Sequence, residues 1–188
     1  MTEPDYFDEL YARNDDPWGL ATSHYERRKY ALTLAALPRA RYARGFEPGC
    51  AIGVLTTGLL SRCDRLVCWD GAARALEQAR ARVSSDAVTF AQHRVPAAWP
   101  EGSFDLVVVS ELLYFLSVSD RAGVLFRILE TLEPGGHLLA VHWRHPFAEA
   151  PSSGDEVQAE LASAPGLERL IEHVEHDFLL GVWQRTGA

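Results

Sequence analysis

The chain has 188 residues, of which 47% are hydrophobic and 23% charged, and its formal net charge is −8. This composition is typical of a globular protein large enough to fold without disulfides or a structural metal. The acidic balance argues against a nucleic-acid substrate, because binding phosphates needs clustered Lys and Arg. We expect a single domain over residues 1–188.

The sequence predicts no signal peptide, no membrane span and no cysteine pattern typical of a metal site. The acidic start lacks the apolar stretch of a signal peptide, and no stretch approaches the roughly 20 apolar residues that a membrane span needs. Cys50, Cys63 and Cys68 lack zinc-ligand spacing, so we expect buried free thiols and no metal site. A cytoplasmic protein that contacts no membrane is predicted.

Residues 1–40 are predicted to form a helical cap before the main fold, since they are rich in aromatic and charged side chains. The apolar positions between His24 and Leu37 have helical spacing. We expect Ser23 as the N-cap of this helix and Pro38 as its stop.

From residue 41 onward, strand-like runs alternate with helix-like runs. Strands are predicted at Ala43–Glu47, Leu66–Trp69, Val88–Gln92, Leu106–Val109 and His137–Trp143. Helices are predicted at 54–62, 72–83 and 119–132, and Glu133-Pro134-Gly135-Gly136 should end the last of these. Repeated β-α-β crossovers imply an α/β fold with a mainly parallel, doubly wound sheet and helices on both faces.

The end of the chain has a different pattern. A short helix is predicted at about 155–163, followed by strand-like runs at Leu167–Glu175 and Phe178–Gln184. Only the turn His176-Asp177 separates these runs, so they should pair antiparallel.

A glycine turn follows the first predicted strand and carries the strongest chemical signal. Glu47, Gly49 and Gly53 form the pattern E-x-G-x-x-x-G, in which glycines let the backbone approach a ligand closely. Ala51 stands where the dinucleotide fingerprint requires its second glycine, so the turn suits a cationic ligand without a pyrophosphate. Glu47 could bind an ammonium group directly or through water.

Asp70 ends the second predicted strand, whose carboxyl end should lie beside the glycine turn. Its carboxylate could accept hydrogen bonds from both hydroxyls of a ribose. The alternative is that Asp70 caps the helix beginning near Ala72, and the two roles are compatible. After the third strand, His93 and Arg94 stand where the base of a nucleotide would lie.

Polar residues also follow the fourth and fifth predicted strands. Ser110, Glu111 and Tyr114 stand at or just past the end of the fourth strand, and His142 and His145 at the end of the fifth. Acceptor binding is one interpretation of the second group. Ordinary loop polarity is the other.

Several of these motifs together resemble the class I S-adenosylmethionine-dependent methyltransferases, and most closely their nodulation-protein-S-like branch. The core motifs are Glu47-x-Gly49-x-x-x-Gly53, Asp70, Trp99-Pro100-x-Gly102-x-Phe104-Asp105-Leu106-Val107, Ser110-Glu111 and Leu132-x-Pro134-Gly135-Gly136. The N-terminal motifs are Asp16-Pro17-Trp18 and Ser23-x-Tyr25-Glu26-x-x-Lys29-Tyr30. The resemblance runs from about Asp16 to Trp143.

The resemblance implies a Rossmann-like, seven-stranded sheet with an antiparallel C-terminal hairpin. It also implies that the glycines lie against the methionine part of the cofactor, Asp70 on the ribose and Val95 near adenine, with Trp18 and Tyr25 closing the pocket. Together with the residue-level analysis, the expected cofactor-binding set is Trp18, Tyr25, Glu47, Gly49, Ala51, Gly53, Asp70, Gly71, Arg94, Val95 and Ser110.

The predicted function is transfer of a methyl group from S-adenosylmethionine to a nitrogen or oxygen atom of a small molecule, with S-adenosylhomocysteine as product. Relatives in nodulation bacteria methylate an amine on a chitooligosaccharide, so an amino sugar is one candidate acceptor. Glu111, Tyr114, His142 and His145 are expected to bind the acceptor or remove its proton. Glu111 and His142 should then face one crevice.

Two alternatives to this function remain open. The first is a non-catalytic cofactor-binding or partner subunit on the same fold. The second is a dinucleotide oxidoreductase, which Ala51 disfavours. A monomer or a homodimer is expected.

Overall fold

The computed structural model describes residues 6–187, and the acidic start analysed above for a signal peptide lies outside the described residues, as does Ala188. The helices are α1 Tyr6–Arg13, α2 His24–Ala35, α3 Val54–Leu59, α4 Ala73–Arg82, α5 Val118–Thr131 and α6 Gly154–Ala162. The strands are β1 Tyr42–Pro48, β2 Cys63–Asp70, β3 Val88–Gln92, β4 Phe104–Ser110, β5 Leu132–Trp143, β6 Leu167–Val174 and β7 Phe178–Arg185. The strand order in the seven-stranded sheet is β3-β2-β1-β4-β5-β7-β6.

The described chain comprises two compact units, whose boundary in the sequence falls between Arg94 and Val95. The single domain over residues 1–188, with a cap over 1–40, stays a prediction. Among the described residues, no helix is long and apolar enough to cross a membrane. Cys50, Cys63 and Cys68 are buried thiols outside any disulfide, as expected.

In the first unit, β1 pairs in parallel with β2, and β2 with β3. The register aligns Pro48 with Trp69 and Asp70 with Gln92. The carboxyl ends of the three strands therefore share one edge, because parallel strands run in the same direction. The glycine turn, Asp70 and the segment after β3 therefore all lie at that edge of the sheet.

Helix α1 lies within the predicted helical cap, but no separate helix was predicted at Tyr6–Arg13. Eight residues are too few for a stable isolated helix in water. Its Tyr11 instead joins a buried cluster with Ile52 of the glycine turn and with Ala72 and Ala75 at the start of α4. Packing on this cluster, rather than helix propensity, accounts for α1.

Helix α2 begins at His24, and Ser23 occupies the N-cap position as predicted. The Ser23 side chain makes no capping hydrogen bond, so the predicted cap is correct in position only. The helix ends at Ala35, two residues before the predicted end at Leu37.

In the second unit, β4 pairs in parallel with β5, and β7 runs antiparallel to both β5 and β6. The terminal hairpin was therefore predicted correctly. Strand β5 begins at Leu132 rather than His137, because Phe104 pairs with Leu132 while Leu106 pairs with His137. Residues 133–136 form an irregularity within the strand instead of a separate turn.

Helix α6 is set by a capping box. The Ser153 hydroxyl accepts from the Glu156 backbone N–H, and the Glu156 carboxylate accepts from the Ser153 N–H. These reciprocal bonds satisfy donors at the helix start that would otherwise lack partners.

Replacing Gly53 with alanine is expected to lower the free energy of unfolding by about 2–4 kcal/mol. Gly53 has φ +78°, and a Cβ there would lie 3.1 Å from the Ala79 Cα in α4. A left-handed L-residue alone costs roughly 1–2 kcal/mol, and the contact with α4 adds to that cost. Urea unfolding followed by circular dichroism measures the change.

Gly19→Ala is the matched control, since Gly19 has φ +67° but its nearest atom would lie 3.6 Å from a Cβ. We expect a loss of about 1–2 kcal/mol from backbone strain alone. Equal losses in the two variants would show that contact with Ala79 is not what requires glycine at position 53.

Candidate active site

The glycine turn is shaped by three residues with left-handed backbone. Their φ values are +74° at Gly49, +48° at Ala51 and +78° at Gly53. Ala51 is not a glycine, so its backbone conformation is strained and must be held by its surroundings. The N–H of Gly49 donates to the Trp69 carbonyl at 2.7 Å, which ties the turn to β2.

Asp70 provides the main restraint on this turn. Its Oδ2 accepts from the Ala51 N–H at 2.8 Å, and its Oδ1 accepts from the Ala72 N–H at 2.9 Å. Burial raises the pKa of Asp70, while these two N–H groups and the nearby Arg94 oppose the rise. The carboxylate joins the turn after β1 to the start of α4.

Glu47 is buried, and its carboxylate faces the interior of the first unit. Its Oε2 accepts from the Thr56 hydroxyl at 2.6 Å and from the Cys68 thiol at 3.5 Å. Burial raises the pKa of Glu47 from 4.5 to about 7, although both hydrogen bonds lower it. Glu47 therefore stabilises the start of α3 from its buried side, through the hydrogen bond with Thr56.

Arg94 lies against Gly71, where a Cβ would come within 3.0 Å of the Arg94 side chain. Its guanidinium donates to the Asp8 carboxylate of α1 at 3.3 Å. His93, which also follows β3, has its ring 4.3 Å from that of Trp69. Arg94 thus connects α1 with the turn after Asp70.

The N-terminal segment places aromatic rings beside the glycine turn. Trp18 is 42% exposed and packs on Phe7 and Tyr11, with ring separations of 6.2 and 5.7 Å. The Asp16 carboxylate holds the Trp18 loop by accepting from two backbone N–H groups. Tyr25 lies in α2, with the Lys29 ammonium 5.0 Å from its ring centre.

Tyr11 was missed by the sequence analysis. It is 2% exposed, and burial together with the charge of Asp70 raises its pKa well above the ordinary value for tyrosine. The available signal was the spacing of Phe7 and Tyr11, four residues apart, which places both on one face of a helix.

In the second unit, Glu111 follows β4 with φ +55°, an uncommon conformation for a residue other than glycine. Its Oε2 accepts from the Tyr114 hydroxyl at 2.5 Å and from the Trp143 backbone N–H at 2.8 Å. Its own N–H donates to the Val141 carbonyl at 2.9 Å. The structure therefore brings together Glu111 and Tyr114, as predicted candidates, at the ends of β4 and β5.

His142 differs from the expectation of a side chain in an open crevice, because it is 0% exposed. The Gln158 Nε2 of α6 lies 3.1 Å from its Nδ1. An amide nitrogen only donates, so Nδ1 accepts and a neutral imidazole carries its proton on Nε2. Side chains alternate between the two faces of a strand, and α6 packs on the face of β5 that carries the His142 side chain.

His145 is directed to the β6–β7 turn rather than to Glu111. Its Nε2 lies 2.8 Å from the Asp177 Oδ1, and its ring lies 4.9 Å from that of Trp143. Of the remaining candidates, Ser110 is half-buried at the end of β4, and Val95 is half-buried at the start of the second unit.

Comparison with known proteins places the chain among the nodulation proteins. The family profile of nodulation protein S (NodS) matches residues 6–162. The chain belongs to this family. The nodulation protein S of Rhizobium tropici is 34% identical over 161 residues, which cover 84% of this chain and 67% of the relative. That of Bradyrhizobium diazoefficiens is 31% identical over 160 residues, which cover 84% and 72%.

Solved structures agree with this assignment. The N-methyltransferase NodS from Bradyrhizobium japonicum WM9, in complex with S-adenosylhomocysteine, has a TM-score of 0.86 and 26% identity, covering 97% of this chain and 98% of its own. A Pseudomonas syringae protein solved as a candidate methyltransferase is 47% identical, with a TM-score of 0.77 and coverage of 87% and 100%. These findings confirm the predicted family, fold class and enzyme class, an S-adenosylmethionine-dependent methyltransferase.

The raised pKa of Glu47 makes stability depend on pH. The folded state holds its proton up to about pH 7, whereas the unfolded chain releases it near pH 4.5. The free energy of unfolding should therefore decrease as pH rises between these values and level off above about pH 7. At about 1.4 kcal/mol per pKa unit, the decrease is on the order of 3 kcal/mol.

Glu47→Gln should remove this pH dependence, because an amide cannot titrate. Urea unfolding of both proteins from pH 4.5 to 8 measures it, with Glu168→Gln, an exposed residue of β6, as the control. A wild-type profile parallel to that of Glu47→Gln would refute a protonated Glu47 in the folded state.

Proposed function

We propose that this methyltransferase moves the methyl group to an amine nitrogen of a small molecule, and that an amino sugar is its acceptor class. The observation that carries the proposal is the strained Glu111, whose carboxylate is oriented by Tyr114 and by the Trp143 N–H. It is supported by the similarity to a NodS described as an N-methyltransferase.

Two features of the first unit support binding of S-adenosylmethionine at the glycine turn. Three residues of the turn have left-handed backbone, and the Asp70 carboxylate lies directly beside it. Each Asp70 oxygen accepts one backbone N–H and retains capacity for a second donor, so it can receive a ribose hydroxyl. The residues proposed to contact the cofactor are Trp18, Tyr25, Gly49, Ala51, Gly53, Asp70, Gly71, Arg94, Val95 and Ser110.

Glu47, which the sequence placed in the cofactor-binding set, is not proposed to contact the cofactor. Its carboxylate is occupied by Thr56 and Cys68 in the interior. We assign it the positioning of the glycine turn through α3, in place of direct contact with an ammonium group.

The chemistry asks little of the protein beyond alignment and one proton transfer. When bound, S-adenosylmethionine supplies an electrophilic methyl group, and its thioether leaves without needing a proton. An amine attacks only as the free base, so a protein group must accept one proton from the acceptor's ammonium form. Glu111 can accept it, because the Tyr114 hydroxyl and the Trp143 N–H fix the carboxylate in place.

Tyr114 and His142 are proposed to position the Glu111 carboxylate, and neither is proposed to accept the proton. The Tyr114 hydroxyl donates to the carboxylate, and its ring packs edge-on against His142 at 5.6 Å. Gln158 in turn fixes His142. This chain of contacts makes His142 a positioning residue, and His145 is left without an assigned part in methyl transfer.

Asp70→Asn should weaken binding of S-adenosylhomocysteine by about 10-fold or more. It removes the charge that strengthens hydrogen bonds to the ribose, and a hydrogen bond to a charged group contributes about 1.5–3 kcal/mol. Titration calorimetry measures the dissociation constant. Asp64→Asn, an exposed position on the same strand, is the control.

Because Asp70 also holds Ala51 and Ala72, the unfolding midpoint of the variant must be measured beside its affinity. Weaker binding by a folded variant supports the assignment. Wild-type affinity in Asp70→Asn would leave Asp70 a purely structural link between the two turns.

Glu111→Gln should lower the single-turnover rate of methyl transfer by about 100-fold, the usual scale for a lost proton acceptor. Affinity for S-adenosylhomocysteine should stay unchanged. The assay uses labelled S-adenosylmethionine with a chitooligosaccharide carrying one free amine, and Glu172→Gln on β6 is the control. Should the variant retain the wild-type rate, Glu111 does not take the proton.

The fully N-acetylated chitooligosaccharide serves as the matched acceptor control, since it keeps every hydroxyl group and blocks the amine. No methyl transfer to it is expected. Equal labelling of both sugars would overturn N-methylation in favour of a hydroxyl acceptor. Labelling of neither would refute the amino-sugar class.

A further inference from the structure

Three potential metal ligands meet at one end of the second unit, apart from the Glu111 group. His145 lies after β5, whereas His176 and Asp177 form the turn between β6 and β7. The ligand atoms of the three side chains all lie within 4.8 Å of one another. The Asp177 Oδ1 is 2.8 Å from the His145 Nε2 and 3.1 Å from the His176 Nδ1. Both imidazoles thus direct a nitrogen at the same carboxylate oxygen.

The backbone that carries these ligands is held independently of them. The Arg144 N–H donates to the Asp177 carbonyl at 2.9 Å, and the Arg144 guanidinium donates to the Glu175 carbonyl at 2.8 Å. These two bonds fix the segment after β5 against the β6–β7 turn. An ion would therefore find its ligands already gathered.

The charge around the cluster is compatible with a cation. Arg144 is the nearest positive group in sequence, but the Asp155 carboxylate pairs with it through two hydrogen bonds of 3.1 and 2.8 Å. Arg144, His145, Pro146, Asp155 and His176 line a shallow surface cavity, which gives an ion a path to the ligands.

We propose that His145, His176 and Asp177 bind one divalent transition-metal ion, with Zn²⁺ as the probe. Two imidazoles and a carboxylate form a borderline ligand set suited to Zn²⁺ and its neighbours, and unsuited to Mg²⁺ or Ca²⁺. Ligand atoms about 2.0–2.1 Å from a tetrahedral ion lie roughly 3.3 Å apart. The two pairs that involve Asp177, at 2.8 and 3.1 Å, are within about 0.5 Å of that spacing, and the two imidazole nitrogens lie within 4.8 Å of each other.

Binding would link the segment after β5 to the terminal hairpin. That segment directly follows Trp143, the last residue of β5, whose backbone N–H donates to the Glu111 carboxylate. The ion itself takes no part in the proposed methyl transfer, so failure of one proposal leaves the other standing. The sequence carried no metal-ligand spacing because His145 and His176 meet only through the fold.

The test uses the full chain freed of any affinity tag, titrated with Zn²⁺ against a chromophoric chelator. One equivalent should bind wild type at micromolar concentration or tighter. His145→Ala and Asp177→Asn should each weaken binding by about 10-fold or more, since losing even an outer partner of a metal ligand costs that much. His173→Ala, in the same hairpin but outside the cluster, should bind as wild type does.

Two further measurements keep the result clear. Zn²⁺ should raise the thermal unfolding midpoint of wild type and of His173→Ala, and raise that of Asp177→Asn by less at the same concentration, because the stabilisation by a bound ion falls as its dissociation constant rises. Co²⁺ should give the visible absorption of a low-coordinate nitrogen and oxygen site. Absence of Zn²⁺ binding to wild type, or equal binding by the ligand variants, would overturn the proposal.

Discussion

The carboxylate of Asp70 accepts the N–H of Ala51 with one oxygen and that of Ala72 with the other, and the first unit is organised around this pair of bonds. The first bond holds a non-glycine residue in left-handed backbone, and the second fixes where α4 begins. Ala72 then joins the buried cluster on which α1 packs. Without this carboxylate, Ala51 and Ala72 would lose the hydrogen bonds that hold the glycine turn against the start of α4. The cluster on which the aromatic N-terminal segment packs would lose that support as well.

Much of the fold could be predicted because its signals are local. Strand β3 has the predicted bounds, and β4 extends the predicted run by two residues at its start and one at its end, since consecutive apolar residues mark a strand buried on both faces. The antiparallel hairpin followed from a two-residue polar turn. The residues at the carboxyl edge of β1 and β2 could also be predicted, because topology alone brings those strand ends together.

Features that depend on tertiary contacts could not be predicted in the same way. Helix α1 owes its existence to a cluster whose other members lie more than 40 residues away in sequence. The burial of His142 follows from the placement of α6, which the pattern of β5 does not contain. The left-handed Glu111 and the orientation of His145 likewise depend on Val141, Trp143 and Asp177.

The reactivity of the three buried thiols can be used to measure how often the first unit opens. Cys50, Cys63 and Cys68 all precede Arg94, and the sequence from Val95 onward contains no cysteine. Burial raises the pKa of Cys68 well above that of a free thiol, so little reactive thiolate exists while the unit is closed. Alkylation rates in the native protein would then measure openings that expose β2 and the glycine turn, with no signal from the second unit.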